Sequence, residues 1–161
     1  MNDGITHKTE FLLEKFRVVN GLKYPVPYAV ERFEKNLGLN EGLNVIASLI
    51  CGGAETAYDS VNAYIGVGDS STAAAASQTG LQASTNKAYA GMEAGYPVFG
   101  TEQKIVWKAS FGDGEAQFAW NEFTIENADL GSGAPLLRKV ESKGTKTAGE
   151  IWELTVTVTF S

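Results

Sequence analysis

Residues 152–160 read WELTVTVTF, and this stretch decides the fold. Trp152, Leu154, Val156, Val158 and Phe160 occupy every second position, with Glu153, Thr155, Thr157 and Thr159 between them. A repeat of two is the side-chain alternation of a β-strand, so the segment predicts a strand with one buried and one wetted face. Removing five such side chains from water contributes on the order of 10 kcal/mol before chain entropy is subtracted. A strand this apolar on one side needs a sheet to dock into.

Working outward, residues 103–111 alternate in the same way. Ile105, Trp107, Ala109 and Phe111 face one side, and Lys104, Lys108 and Ser110 the other, as in a half-buried antiparallel strand. Gly112-Asp113-Gly114 turns the chain into a strand over 118–127. There the apolar side switches from Phe118 and Trp120 to Phe123 and Ile125, which predicts a bulge near Asn121. After a glycine-rich loop, 136–143 is a further strand, and Lys143-Gly144-Thr145-Lys146 begins a polar turn. Upstream, 63–68, 87–92 and 29–34 read as strands. Residues 69–86 are too small and polar to form a core element; Asp69, Ser70, Ser71 and Thr72 can bond local amides instead. Gly66 and Gly68 leave room for a bulge or a neighbouring backbone.

One helix is expected over about 40–51, with Asn40 as cap, Leu43, Ile46, Ala47 and Ile50 on its apolar face, and Gly52-Gly53 as its stop. Residues 10–20 suit either a helix face or a strand. Asn20-Gly21 marks a turn, and the two prolines in Tyr24-Pro25-Val26-Pro27-Tyr28 demand extended backbone. The resulting expectation is a mainly β protein, an antiparallel β-sandwich or jelly-roll-like domain with one short helix. Residues 1–35 are expected to form an extended N-terminal arm, and 36–161 a single β-rich domain.

Composition narrows the function classes. The chain has 161 residues, 43% hydrophobic and 20% charged, the size and balance of one globular domain. Its net charge of −6 and lack of a basic block oppose nucleic-acid binding. Residues 43–51 form the longest strongly apolar run, too short to span a bilayer, and the polar start MNDGITHKTE suggests synthesis without a secretory leader. Cys51 is the lone cysteine and His7 the lone histidine. The setting of Cys51 suits a small buried hydrophobe rather than a nucleophile, which would need a basic partner.

The remaining chemical motifs are weak. The run Gly66-Val-Gly-Asp-Ser-Ser-Thr lacks the lysine of a phosphate loop and the third glycine of a dinucleotide fingerprint, so no cofactor is expected. Zinc would need several Cys or His ligands, and Asp69 and Asp113 suit solvated turn acids better than calcium ligands. Glu122 and Glu126 share only their spacing on a strand with the paired carboxylates of glycosidases. Solvent-facing sheet charges explain them more simply, although Glu122 could also be partly buried against Arg138 or a backbone amide. Trp107, Trp120 and Trp152 suit core packing; exposed, they would suit a carbohydrate-binding sheet. No catalytic or metal-binding residue is assigned.

A different signal comes from the order of segments. Residues 36–53 (NLGLNEGLNVIASLICGG), 63–81 (AYIGVGDSSTAAAASQTGL), 105–111, 118–127 with its Trp-Asn-Glu-Phe, 136–140 and the terminal threonine-valine strand together cover about three-quarters of the chain. This succession resembles small structural proteins of tailed bacteriophages that carry an IGVG segment followed by a small-residue loop and Thr-x-Leu. The resemblance implies a virion structural protein. A capsid decoration or cement protein is the first expectation, a tail component (fibre, baseplate or connector protein) the second and a carbohydrate-binding module a lesser one. It further implies the major capsid protein and copies of the chain itself as partners, possible trimers, synthesis in the host cytoplasm and a place on the capsid surface. The expected contacts are Phe11, Phe16, Tyr24 and Tyr28 in the arm, and Asp69, Ser70, Ser71 and Thr72 in a protruding or intersubunit loop.

Overall fold

The computed structural model describes residues 5–161. Its strands are β1 (His7–Val19), β2 (Leu22–Lys23), β3 (Ala29–Glu34), β4 (Leu37–Gly38), β5 (Tyr64–Gly68), β6 (Lys87–Gly91), β7 (Val98–Thr101), β8 (Lys104–Phe111), β9 (Glu122–Glu126), β10 (Pro135–Val140) and β11 (Glu150–Phe160). The helix α1 spans Asn40–Ile50. One sheet has the order β2-β1-β11-β8-β7, with β3 also paired to β1; the other runs β4-β10-β9-β5-β6. All pairings are antiparallel, and the two sheets make a β-sandwich-like domain.

The 152–160 alternation lies at the centre of this arrangement. β11 is paired to β1 on one side, from His7↔Phe160 to Arg17↔Glu150, and to β8 on the other, from Trp152↔Phe111 to Thr159↔Lys104. Directly opposed residues of an antiparallel pair share a face, so Trp152, Leu154, Val156 and Val158 point inward with Phe11, Leu13, Trp107, Ala109 and Phe111. The second sheet answers with Ile65, Val67, Phe123, Ile125 and Leu137. Aromatic rings join the two layers: Phe33 lies 5.2 Å from Phe123 and Trp120 4.8 Å from Trp152, centroid to centroid.

Several expectations change. Residues 7–34 are no arm: β1 is hydrogen-bonded along both edges, and Phe11 and Leu13 belong to the core. Of its two allowed readings, the 10–20 segment takes the strand, because β11 and β3 flank it. Helix α1 is capped by buried Leu39 with no side-chain bond, and Asn40 is its first helical residue. Its buried positions are Gly42 and Val45, while Leu43 and Ile50 are exposed. The helix is thus rotated from the expected stripe, because Gly42 is the position that touches β10. Cys51 is exposed in the turn that ends α1. In place of a bulge at Asn121, β9 starts at Glu122, and Ala119 bridges separately to Thr145; this break lets Trp120 and Phe123 both enter the core. Lys146, expected in a polar turn, is fully buried and donates to the carbonyls of Gly112 (2.7 Å) and Glu115 (2.8 Å).

The helix seat generates a test. A methyl group at Gly42 would lie 2.4 Å from Leu136 Cα and 2.6 Å from Pro135 O, and backbone cannot move aside as a side chain can. Alanine ordinarily favours a helix over glycine by about 1 kcal/mol. Here Gly42→Ala is expected to destabilise the fold by about 1–3 kcal/mol through overpacking, read as a lower denaturant midpoint.

Candidate functional site

The segment between β5 and β6 crosses the outer face of the second sheet. Gly66, Thr124 and Arg138 stand in one register row on that face, and Gly68 and Glu122 in the next. Methyl groups at Gly66 and Gly68 would lie 2.6 Å from Tyr89 Cε1 and 2.5 Å from Glu122 Oε1. Side chains, rather than a neighbouring backbone, therefore fill the space that these glycines leave. Arg138 donates from Nε to Glu122 Oε2 at 2.8 Å, and its Nη2 lies 2.7 Å from the same oxygen; both side chains are wholly buried. The guanidinium also reaches the segment above, donating through Nη1 to Thr72 O (2.9 Å) and Gln78 Oε1 (3.0 Å). Glu122 in turn accepts from the amides of Gln82 (2.9 Å) and Ala83 (2.7 Å). One ion pair therefore straps both halves of residues 69–86 onto the sheet.

Glu126 lies on the same face and is equally buried, with Tyr89 Oη donating to its Oε1 at 3.3 Å and Oε2 unpartnered among the described residues. Burial pushes its carboxyl up to about 7. The two glutamates thus belong to a closed, internally bonded face, not to solvent and not to an open cleft. The three tryptophans are at most 2% exposed, so none offers a platform for a sugar ring. Among the described residues no group of three or more His, Cys, Asp and Glu side chains converges as a metal site, and no helix is long and apolar enough to cross a membrane.

The expected contact residues divide sharply. Phe11 and Phe16 are buried at 2% and 5% and cannot meet a partner; Phe16 lies under the Lys23 ammonium, 4.2 Å from the ring centroid. Asp69 is tied down: its carboxylate accepts from Asn86 Nδ2 (2.7 Å) and its carbonyl from Asn121 Nδ2 (2.8 Å). Ser70 is half-buried and bonded to Thr72, leaving Ser71 and Thr72 exposed on a segment that lies flat rather than protruding. Tyr24 and Tyr28 are exposed, at 51% and 43%. Tyr28 is held there by a 2.7 Å bond from its hydroxyl to Glu150 and by Arg17 over its ring.

These tyrosines lie in a segment with further exposed apolar side chains, although the pairing of Leu22 with Val19 and of Val30 with Glu14 puts its two ends on opposite faces of the sheet. Leu22, Tyr24, Val26, Tyr28 and Val30 occupy every second position and are exposed by 73, 51, 62, 43 and 51%. The segment returns along β1, with Tyr24 N bonded to Arg17 O and Tyr28 N to Lys15 O, then enters β3, whose partner among the described residues is β1 alone. Nothing in the sequence singles out Leu22, Val26 and Val30, because the same alternation reads as a buried face. The one signal against burial is proline: Pro25 and Pro27 lack the N–H that an interior strand would need.

Comparison with protein-family models, curated proteins and solved structures finds no match.

Two tests follow from the strapped face. Arg138→Met leaves the Glu122 carboxylate buried without its cation and is expected to cost about 3–5 kcal/mol, with faster hydrogen exchange at the Gln82 and Ala83 amides. Glu126 makes stability depend on pH. Between its ordinary value of 4.5 and the folded value of about 7, the folded chain holds a proton that the unfolded chain has released. Stability is therefore expected to fall by about 3 kcal/mol as pH rises through that window. Glu126→Gln should flatten this part of the profile and stabilise the protein above it, as measured by urea unfolding at about pH 5 and pH 8.

Proposed function

We propose that this chain is a bacteriophage virion structural protein, a capsid decoration protein that stabilises the assembled shell by binding the major capsid protein and further copies of itself. The observation that supports a docking role is the set of exposed apolar side chains Leu22, Tyr24, Val26 and Tyr28 on the segment that leads into the edge strand β3. Exposed apolar side chains concentrated on one segment mark a contact site, and an edge strand adds unpaired backbone groups beside them. The order of sequence segments supplies the phage reading. Binding to the shell, but not to its free subunits, would stabilise the shell by mass action.

The reading is tested by mixing the protein with shells assembled without it and with purified tails. Saturable binding to shells and a raised shell melting temperature are expected. Leu22→Ser with Val26→Ser, both at exposed positions, should leave folding within about 0.5 kcal/mol. The pair should weaken shell binding at least about tenfold, since each buried apolar side chain contributes about 1.5–3 kcal/mol. Binding to tails with none to shells would replace the decoration role with that of a tail component.

A further inference from the structure

The two buried glutamates of the second sheet are treated in opposite ways. Glu122 has a guanidinium and two backbone amides. Glu126 has one long bond from Tyr89 Oη, at 3.3 Å, and its Oε2 has no partner among the described residues. A carboxylate is an acceptor at both oxygens, and burying one without donors or a cation is costly. The closed surroundings therefore suit the neutral acid. The facing groups do not change this. Arg138 is held by Glu122, and Asp129 keeps its carboxylate on the Leu130 amide. Lys87 on β6 and the Gly133 amide draw the carboxyl down and Glu41 on α1 pushes it up, all less strongly than burial. Tyr64 stands opposite in β5, and burial raises the Tyr58 and Tyr89 phenols, which stay neutral.

Two pieces of chain cover Glu126, and they are fastened unequally. Residues 78–83 approach through Gly80, where a methyl group would lie 3.4 Å from Oε1, and are tied by Arg138 to Gln78 and by Glu122 to Gln82 and Ala83. The other cover is the β9–β10 connection. Asn127 closes its base, donating to Thr56 O and accepting from Ala134 N, both at 2.7 Å. Its tip, residues 129–132, is hydrogen-bonded only to itself among the described residues, through the Leu130 and Ser132 amides and the Ser132 hydroxyl, all to Asp129. Leu130 is 80% exposed with φ 56°, and Gly131 lies against Tyr89 Oη, 2.7 Å from where its methyl group would be. Segments with few buried apolar contacts open most readily, so this cover yields first.

We propose that residues 127–134 are a pH-gated flap over Glu126, closed while the carboxyl keeps its proton and opened as that proton is released to solvent. Opening admits water to the carboxylate and to the Tyr89 hydroxyl. Between the ordinary value of 4.5 and about 7, the open form has lost a proton that the closed form retains. The ratio of open to closed flap therefore rises about tenfold per pH unit and levels off above about 7. The flap lies apart from the Leu22 to Val30 segment and does not depend on the docking role.

The test is amide hydrogen exchange by NMR on the intact chain from about pH 5 to about pH 8, with rates divided by those of an unstructured peptide at the same pH. Protection at Ser132 and Ala134 is expected to fall about tenfold per unit and then level off. Low concentrations of urea should leave it unchanged, because a local opening exposes little surface. Glu126→Gln, which resembles the protonated acid, should remove the slope and hold both amides at the wild-type acidic level. Should that variant not fold, the wild-type slope and urea response decide by themselves. Protection that is flat with pH overturns the proposal, as does a slope that persists in Glu126→Gln. Full urea sensitivity at Ser132 and Ala134 overturns it by showing that the loop opens only with the whole protein. A urea-insensitive slope at Gln82 and Ala83 instead would place the opening in the other cover.

Discussion

The two sheets are unequal in length, and much of the molecule follows from that mismatch. β1 has 13 residues and β11 has 11, whereas β5 and β9 have five each. At about 3.4 Å per residue, β1 extends for about 44 Å and its five-residue counterparts for about 17 Å. The overhanging inner face of the long sheet must be covered by something other than a strand. At the His7 end the cover is α1, seated on β10 through Gly42. At the other end it is the two flanking segments 112–121 and 141–146, where Lys146 and Lys15 satisfy backbone carbonyls with their ammonium groups; Lys15 donates to Lys143 O at 2.6 Å and lies over the Trp152 ring. The lysine-rich end is filled by aromatic rings, and the helical end retains a cavity of about 320 Å³ between α1 and the first sheet, lined by Leu43, Ile46, Leu49, Ile105 and Val158.

The outer faces solve a different problem. Both bury acidic side chains against cations. On the first sheet, Glu153 is 7% exposed and held between Lys23 and Lys108. On the second, Glu122 and Arg138 are wholly removed from water. A buried pair of this kind adds little net stability over apolar residues, but an unpaired member is costly. Its effect here is to select one position for residues 69–86, because displacement of that segment strips hydrogen bonds from both charges together. A stretch whose only large apolar side chain is Leu81 is ordered mainly by polar groups beneath it. Most of the exposed large apolar side chains lie on the β1–β3 return and around the mouth of the cavity, with Ile5, Leu37, Val61, Val98 and Leu130 outside both.

Strands are legible in the residues because alternation is local. The inward set Trp152, Leu154, Val156 and Val158 and the set Ile105, Trp107, Ala109 and Phe111 need only a period of two, and the helix needs a glycine stop and an apolar stripe. The contact residues are harder. A polar start points to an arm, which would leave Phe11 and Phe16 free, yet the pairing of β1 with β11 joins positions more than 130 residues apart, a distance no local pattern reports. The alternation from Leu22 to Val30 resembles that of a core strand, and apart from Pro25 and Pro27 only the absence of a covering layer distinguishes it.

Taken alone, the sequence determined that the chain is mainly β, which faces of β8 and β11 are apolar, where its helix lies, and that its tryptophans belong in the core; these depend on side-chain period and hydrophobicity, both local properties. The tertiary structure decided which alternating rows are covered and which are left bare. It also turned Glu122 from a possible surface acid into the anchor of a strap and rotated α1 about Gly42. Each of those outcomes depends on what a distant segment places opposite a residue, and burial, pairing and vacancy are properties of two surfaces rather than one.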